Sequence, residues 1–384
     1  MKKRWIAGLL VLVMLLCLTA GCQKRQAPET TEPATEAPAS TAPAPTVIIE
    51  TESEPVTTQP ETAEPEETVP ALPAGQMYSY FTGLPVPEEQ GNRRAVGVII
   101  NNVEAALPQA GVSSAEVVFE CPIAGGSVRL LAIYPDGHYD DIPKIGSIRS
   151  ARTFFVLIQS SLQCIFVHNG KALFAVPYLE MPHIQRMDGT MGRYDPYYFR
   201  TNEKKSPHNL FTSGALINKG IAKFEYDTKI PDGFVPFAFD YSGETINPTV
   251  AEGEPASKIS IGYRINKPYF VYDKEKDLYY RYQFDRKHID QNDNKQVAVN
   301  NIVVTYHTVS NYDQTDYLNI TLDGTGDGYY FTNGKYIPIT WSRSFEWGVT
   351  HYYDLDGNEI HLTPGKTWFC VVPNSRREYL KIEP

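Results

Sequence analysis

Two arginines in the segment 145–152 have the side-chain chemistry of an anion-binding site. Arg149 and Arg152 stand three residues apart, with Ser147 and Ser150 beside them. A guanidinium presents a planar fork of N–H donors that fits phosphate or carboxylate oxygens, and free backbone N–H groups at the start of a helix attract the same groups. The segment therefore predicts an anion site built from Ser147, Arg149, Ser150 and Arg152.

The same arginines have a structural alternative. Two guanidiniums in the first turn of a helix oppose the helix dipole, and either a bound anion or an internal carboxylate would relieve that repulsion. Glu104, Glu120 and Asp140 are the acidic residues that could pair with them. The sequence leaves both alternatives open.

Two His-Asn pairs are candidates for the same site. His168 and Asn169 follow a run of apolar residues, and His208 and Asn209 follow Pro207 in a loop. Ligands of open α/β sheets bind outside the carboxyl ends of strands, where an imidazole can donate hydrogen bonds or act as a general base. We expect the two pairs to converge with the arginines, although a single histidine is more often a structural residue.

Glu120 and Arg129 flank a glycine-containing turn at residues 124–127. A carboxylate, a flexible loop and an arginine are compatible with a site, and they are equally compatible with a hairpin held by a cross-strand ion pair. Asn101 and Asn102 end an earlier apolar run and could add amide donors. We therefore include Glu120, Arg129, Asn101 and Asn102 among the candidate residues.

The elements that must position these residues are short apolar runs of strand length within residues 77–235. A helix is predicted from Arg149 to Ser161 with Ser147 as its cap, and further helices are predicted after Gly170 and from Ser213 to Lys219. A strand-helix-strand order favours a partly parallel, mixed sheet. The predicted strands are Val96–Ile100, Ala115–Phe119, Arg129–Tyr134 and Cys164–Val167.

Residues 236–384 have a different composition. Aromatic and β-branched runs such as Leu278–Tyr282 and Ile302–Tyr306 alternate with Asn-Gly and Asp-Gly pairs, for example Asn333-Gly334. These pairs favour hairpins because both turn residues tolerate positive φ. The chain is therefore predicted to be an α+β protein, with an α/β half at 77–235 that carries a partly parallel mixed sheet and an antiparallel β-rich half at 236–384.

The N-terminus has the pattern of a lipoprotein signal peptide. Three positive residues precede an apolar run, and Cys22 follows the small residues Ala20 and Gly21. The run is too short to cross a bilayer core of about 30 Å. We predict a signal peptide at 1–21 and lipidation of Cys22, and the alternative is an ordinary secretory signal with a chance cysteine.

Residues 22–76 are rich in Thr, Pro, Glu and Ala. Such a stretch cannot bury enough apolar surface to fold, so it is predicted to be a disordered stalk. The chain carries a net charge of −10; the signal supplies three positive charges and the stalk two positive charges and ten glutamates, which leaves −5 for the remainder. This mildly acidic balance excludes nucleic acid as a general electrostatic partner.

Motifs for other chemistry are absent from the sequence. There is no nucleotide-binding glycine loop, no Cys/His spacing of a metal site and no hydrolase motif, so we predict neither a cofactor nor a metal. Cys121, Cys164 and Cys370 lie in apolar runs and are expected to be buried thiols. A disulfide is not needed in a domain of this size.

Several segments together resemble the YerB-like family of bacterial lipoproteins. The resemblance covers about residues 78–221 and 301–373 and implies a two-part extracytoplasmic lipoprotein of Gram-positive-type bacteria. The family is named as a domain of unknown function, so it implies no reaction, and Cys121-Pro122 departs from the more polar continuation expected after Glu120. The segments are YFTGLPV at 80–86, VGVIINN at 96–102, PQAG at 108–111, EVVFE at 116–120, GSIRSAR at 146–152, SPHN at 206–209, GKTW at 365–368 and VVP at 371–373.

These features predict a lipid-anchored surface lipoprotein on the outer face of the bacterial cytoplasmic membrane, exposed to the cell wall. Its pocket would bind an anionic envelope ligand, such as a phosphate- or carboxylate-bearing glycan, with Arg149 and Arg152 as clamps and His168 and His208 as donors. Two alternatives stay open. One is an envelope hydrolase that uses the same pocket, with a histidine as base and Glu120 as acid or as the residue that orients it. The other is a protein–protein scaffold without a small-molecule site.

Overall fold

A computed structural model describes residues 69–384, and all of these belong to one compact unit. The predicted signal peptide, the lipidation site Cys22 and most of the predicted stalk lie outside the described residues. Within 69–384, no helix is long and apolar enough to cross a membrane.

The largest element is a mixed sheet of eleven strands. Its central strands are fully buried and mostly apolar, as expected for strands that are covered on both faces. From one edge to the other the strands are Glu254–Pro255, Lys335–Arg343, Gly324–Thr332, Asn301–His307, Thr367–Pro373, Val117–Pro122, Val128–Tyr134, Val96–Asn101, Ile165–His168 and Arg186–Asp188, with His351–Tyr353 paired to Lys335–Arg343.

The sheet contains both parallel and antiparallel pairs. Val96–Asn101 runs parallel to Ile165–His168 and antiparallel to Val128–Tyr134, which confirms the mixed sheet predicted for the first half. Thr367–Pro373 runs parallel to Val117–Pro122, so strands from both halves of the sequence share this sheet. The boundary between residues 235 and 236 stays a prediction.

The second half also forms smaller antiparallel sheets, which confirms its predicted β-rich character. The six-stranded one contains Arg286–Lys287, Leu278–Gln283, Tyr269–Asp273, Lys258–Ser260, Lys381–Glu383 and Ala298–Val299. Short pairs elsewhere are Gln76–Tyr78 with Pro85–Pro87, Ile145–Gly146 and Phe199–Arg200 with Leu210–Thr212, Ala238–Phe239 with His361–Leu362 (the parallel pair), and Val309–Asn311 with Leu318–Ile320.

Helices are short and few in the described part of the chain. The helix predicted from Ser213 to Lys219 is present as Gly214–Lys223, and the Ser213 hydroxyl caps it by accepting from Leu216 N. The α-helices are Glu88–Gly91, Thr153–Ser161, Val176–Leu179 and Gly214–Lys223, and the 3₁₀ turns are Glu104–Ala106, Ala124–Gly126, Leu173–Ala175, Gly192–Tyr197, Pro248–Val250 and Asn374–Tyr379.

The predicted start of the helix at Arg149 is wrong. The helix begins at Thr153 with Arg152 as its N-cap, and Ser147 does not cap it. The reason is long-range: the N–H groups of Ile148 and Arg149 donate to strand or strand-end carbonyls of distant segments, at Leu210 O and Ile99 O. These bonds hold the segment before the helix in an extended conformation.

Apolar layers cover both faces of the large sheet. On one face Phe119 and Leu131 pack with the helix Thr153–Ser161, and on the other Val118 and Leu130 pack with the six-stranded sheet. Neighbouring residues of a strand point to opposite faces, which decides where each candidate residue faces. Cys121, Cys164 and Cys370 are buried free thiols, as predicted.

Gly328 tests the pairing at the centre of this sheet. It opposes Thr305, and a Cβ at this position would collide with the carbonyl oxygen of Val304. Gly328→Ala should therefore lower the free energy of unfolding, measured by urea denaturation, by about 1–3 kcal/mol. Gly192→Ala is the control, because its nearest atom, Asp195 Oδ2, would be 3.9 Å away. Equal unfolding midpoints for the two variants would contradict the pairing of Gly328 with Thr305.

Candidate functional site

Three arginines lie close together, and we call Arg129, Arg149 and Arg152 the arginine cluster. Arg129 begins a central strand, while the other two lie in the extended segment before the nine-residue helix. The Arg129 guanidinium donates to Ser150 O at 2.6 Å, which ties the strand to that segment. The structure thus adds Arg129 to the two arginines that the sequence motif placed together.

None of the three guanidiniums forms an ion pair with a carboxylate among residues 69–384. Their protein acceptors are neutral: backbone carbonyls for Arg129 and Arg152, and an imidazole nitrogen for Arg149. The internal ion pairs offered as an alternative are absent because each acidic residue pairs elsewhere. These pairs are Glu104 with Arg286 at 3.2 Å, Glu120 with Arg281 at 2.8 Å and Asp140 with Arg93 at 3.1 Å.

The cluster is partly withdrawn from water. Arg129 is only 7% exposed, and burial, followed by repulsion from Arg152 and Arg149, holds its pKa well below the usual range. Burial also lowers the pKa of Arg149 and of Arg152. The Nε atoms of Arg129 and Arg149 are buried without a hydrogen-bond partner in the described structure. Positive charge that is buried and unpaired is costly, so the site favours an anion.

The helix Thr153–Ser161 adds to the positive potential. Its first N–H group with an intrahelical acceptor is that of Val156, which donates to Arg152 O, and no side chain caps the end. The N–H groups of the first turn therefore lie beside the arginine cluster, at the positive end of the helix dipole.

His208, which the sequence led us to expect at this site, lies beside the cluster. Asn101 Nδ2 donates to His208 Nδ1 at 2.8 Å, and Arg149 Nη2 approaches the same nitrogen at 3.3 Å. Nδ1 is therefore the acceptor, and the proton of the neutral imidazole is on Nε2. Burial, Arg149 and Lys204 all lower the pKa of His208, so the ring is a hydrogen-bond donor at neutral pH rather than a cation.

Ser147, Ser150 and Asn169 surround the same segment. The Ser147 hydroxyl is fully buried and has no hydrogen-bond partner in the described residues. Asn169 N donates to Arg149 O at 3.0 Å. Gly170 packs closely against Ser150, because a Cβ added to Gly170 would lie 3.2 Å from Ser150 Oγ. The chain at 168–170 therefore runs alongside 149–151.

The imidazole of His168 is buried inside the fold. It is 0% exposed, its Nδ1 donates to Gly170 O at 2.9 Å, and its ring packs on that of Phe166 at 4.9 Å. Burial lowers its pKa to about 4. This placement suits a neutral structural histidine that supports the 168–170 turn.

Asn209 points away from the arginine cluster. Its Oδ1 accepts from Arg200 at 2.9 Å, and its Nδ2 donates to Thr201 O at 3.0 Å. Of the two His-Asn pairs, only His208 brings its side chain to the arginines, and its contact there is with Arg149 and Asn101.

Glu120 and Asn102 lie on the opposite face of the sheet. Cys121 stands opposite Arg129 in the strand register, so Glu120, one residue earlier, points the other way. Its side chain is 0% exposed. Glu120 is therefore separated by the sheet from the arginine cluster that we expected it to join.

The Glu120 carboxylate belongs to a closed ring of buried hydrogen bonds, which we call the Glu120 network. Arg281 Nη2 donates to both carboxylate oxygens at 2.8 and 2.9 Å, and burial followed by Arg281 holds the pKa of His288 well below its usual range. The ring continues from Arg281 to His288 at 2.8 Å, His288 to Gln109 at 2.9 Å, Gln109 to Asn102 at 2.8 Å and Asn102 to Glu120 at 3.2 Å, and Asn266 and Trp368 also donate to Glu120.

The strand Leu278–Gln283 carries a sequence signal for this network, although we predicted no such network. Alternate residues of the strand are buried, so Arg281 and Gln283 fall on the same inward face as Tyr279. Polar residues at inward positions of a strand require buried partners. The period-two pattern thus points to Arg281 as the partner of a buried carboxylate.

Metal binding has no support in the described residues. Histidine, cysteine, aspartate and glutamate side chains of residues 69–384 form no group of three that could hold a metal ion. The arginine cluster contains no carboxylate that could bind a cation.

The fold and these sites define a two-part protein of mixed α+β class with one sheet shared by both parts. The chain belongs to the family described as protein of unknown function (DUF3048), whose N-terminal domain profile matches residues 81–227 and whose C-terminal domain profile matches residues 259–369.

A similar curated protein is "Putative lipoprotein YerB" of Bacillus subtilis (strain 168). It is 28% identical over 312 residues, which cover 78% of this chain and 88% of that protein. The crystal structure of the YerB protein from Bacillus subtilis matches with a TM-score of 0.71 at 28% identity and covers 80% of this chain and 100% of the solved one. These likenesses confirm the predicted family and fold class, and they name no ligand or reaction.

The Glu120 network should be structural. Arg281→Met leaves a buried carboxylate unpaired and should lower the free energy of unfolding in urea by about 3–5 kcal/mol. Arg286→Met is the matched control, since this arginine and Glu104 are 52% and 67% exposed, and it should cost less than about 1 kcal/mol. A similar small loss in both variants would show that the network does not hold the fold.

Stability should depend on pH through the buried histidines. Burial lowers the pKa of His168 and of His307 to about 4, whereas an unfolded histidine titrates near about 6.5. Between these values the unfolded chain binds more protons, so the free energy of unfolding should fall as pH decreases from 7 towards 4.

His168 can be tested separately in the same experiment. The free energy of unfolding, measured by urea titration, should be lower at pH 5 than at pH 7. In His168→Gln this difference should be smaller by about 2 kcal/mol. His351→Gln, at an exposed residue paired with Glu359, is the control. A pH dependence that His168→Gln leaves unchanged would contradict the burial of a neutral imidazole.

Proposed function

We propose that this protein is an extracytoplasmic surface lipoprotein that binds an anionic cell-envelope ligand, a phosphate- or carboxylate-bearing glycan, at the arginine cluster and His208. One observation carries the proposal: Arg129, Arg149 and Arg152 converge with no carboxylate partner among the described residues. Arg281, another buried arginine, is by contrast paired with Glu120.

The residues would have distinct roles. Arg149 and Arg152 would clamp the anion from the extended segment, and the more buried Arg129 would supply charge from behind them. Burial, followed by repulsion from Arg152 and Arg149, lowers the pKa of Arg129. An anion that neutralises the cluster would therefore remove an unfavourable interaction as well as make new hydrogen bonds. His208 would donate from Nε2, and Asn101 would hold its ring in place.

The predicted anchor fits this role. Lipidation of Cys22 would attach the protein to the outer face of the cytoplasmic membrane, and the acidic stalk would hold the folded part towards the cell wall. The similar Bacillus subtilis protein is named a putative lipoprotein, which supports the anchor. Membrane contact would then occur through the lipid, and a glycan of the cell wall or another envelope component would be the ligand.

The geometry favours binding over the hydrolase alternative. A histidine base is normally oriented by a carboxylate, but His208 Nδ1 faces the two donors Asn101 and Arg149. Glu120, the acid of that alternative, is on the other face of the sheet. A scaffold without a ligand would give no reason to keep three repelling cations together.

Arg129→Met separates a ligand site from a structural one. Binding of inorganic phosphate to the full chain, measured by calorimetry, should weaken by at least about tenfold because the cluster loses one of its three positive charges. The free energy of unfolding without phosphate should stay equal or rise, because a buried unpaired charge is removed.

Arg93→Met is the control for the loss of a positive charge. Its guanidinium pairs with Asp140, so phosphate affinity should be unchanged. The proposal fails if phosphate does not bind the wild-type chain, or if Arg129→Met binds it as tightly and is strongly destabilised.

A further inference from the structure

A hairpin of the second half borders the arginine cluster. Its strands are Val309–Asn311 and Leu318–Ile320. The guanidinium of Arg152 lies over the ring of Tyr317, 5.1 Å from its centroid, and the hydroxyl of Tyr312 donates to Thr153 Oγ1 at 3.2 Å. Thr153 is the first residue of the helix beside the cluster, so both tyrosines lie at the edge of the proposed anion site.

Three aromatic side chains lie at this edge, Phe174, Tyr312 and Tyr317, and together with the exposed Leu173, the chain neighbour of Phe174, we call them the aromatic shelf. The rings of Phe174 and Tyr312 stack with centroids 4.0 Å apart and an angle of 5° between their planes, and Tyr317 meets Phe174 edge-on at 6.1 Å. Leu173 is 74% exposed and Tyr317 is 37% exposed. Rigid aromatic rings and an exposed leucine therefore offer apolar surface directly beside the cations.

The tip of the same hairpin is acidic. Asp313 and Asp316 line, together with Tyr312, an open cleft of about 460 Å³. Neither carboxylate forms an ion pair within residues 69–384. Carboxylates at such a place accept hydrogen bonds from hydroxyl groups and repel further negative charge. The part of a ligand that lies over the shelf should therefore be neutral and rich in hydroxyl groups.

We infer that the aromatic shelf is a sugar-ring subsite, so that the ligand carries its anionic group directly on a pyranose ring. The cations would hold the anion, the rings of Tyr312 and Tyr317 would pack against the apolar face of the sugar, and the acidic tip would accept from its hydroxyl groups. This inference rests on the proposed function, since the anion fixes where the ring must lie. It assigns ligand selectivity to a hairpin of the second half.

Three phosphates test the subsite by calorimetry on the full chain. Glucose 1-phosphate carries a ring, glycerol 3-phosphate carries the same charged group without one, and inorganic phosphate carries the anion alone. Glucose 1-phosphate should bind about tenfold more tightly than glycerol 3-phosphate, the gain expected from one ring packed on aromatic side chains.

The variants Tyr317→Ala and Leu173→Ala should reduce this ratio to about two or less, because each removes shelf surface. Tyr317→Phe keeps the ring and should keep the ratio, and Leu173→Ala changes an exposed residue that the fold does not need. Inorganic phosphate gives the affinity of the anion site in each variant, so a general loss of binding is recognised as such.

The outcomes separate the two proposals. Equal affinity of all three phosphates for the wild-type chain, or a ratio that both alanine variants preserve, would overturn the subsite while leaving the anion site intact. Absence of binding for all three compounds would overturn the proposed function and the subsite together.

Discussion

The bidentate contact between Arg281 and the buried carboxylate of Glu120 is the interaction on which the arrangement of charge in this protein depends. It neutralises a cation and an anion on the face of the large sheet that packs against the six-stranded sheet. Because Glu120 points to that face, it cannot reach Arg129, which lies opposite the next residue of the same strand. The single-residue alternation of a β-strand thus leaves three arginines on the other face without an acidic partner in the described structure.

This separation divides the polar residues into two groups with different physical roles. The Glu120 network is a closed ring in which Arg281 neutralises Glu120, and such a network holds two layers in a fixed relation. The arginine cluster is open, which means that its cations repel one another and donate only to neutral acceptors. An open group of this kind lowers stability in the free protein, and it is retained most readily when a ligand completes it. The aromatic shelf beside it would give the proposed ligand a second point of contact.

Local sequence patterns predicted much of this fold. The apolar runs indicated the central strands to within three residues at each end. The His208 loop was also expected to converge with the arginines. The predictions that failed depended on long-range contacts. Arg149 lies in an extended segment because distant carbonyls hold its backbone. Tyr312 is 159 residues from Thr153 in the chain, and it reaches the site only through the shared sheet. The inward face of Arg281 could have been inferred from strand alternation, and with it the partner of Glu120.

Locating a heavy anion bound to the protein would show directly whether the arginine cluster is an anion site. Crystals of the full chain soaked in tungstate would reveal its position by anomalous scattering. We predict a tungstate peak within hydrogen-bond distance of the guanidiniums of Arg149 and Arg152, and loss of that peak in Arg149→Ala. Tungstate bound only elsewhere on the protein, with the arginine cluster unoccupied, would contradict this assignment.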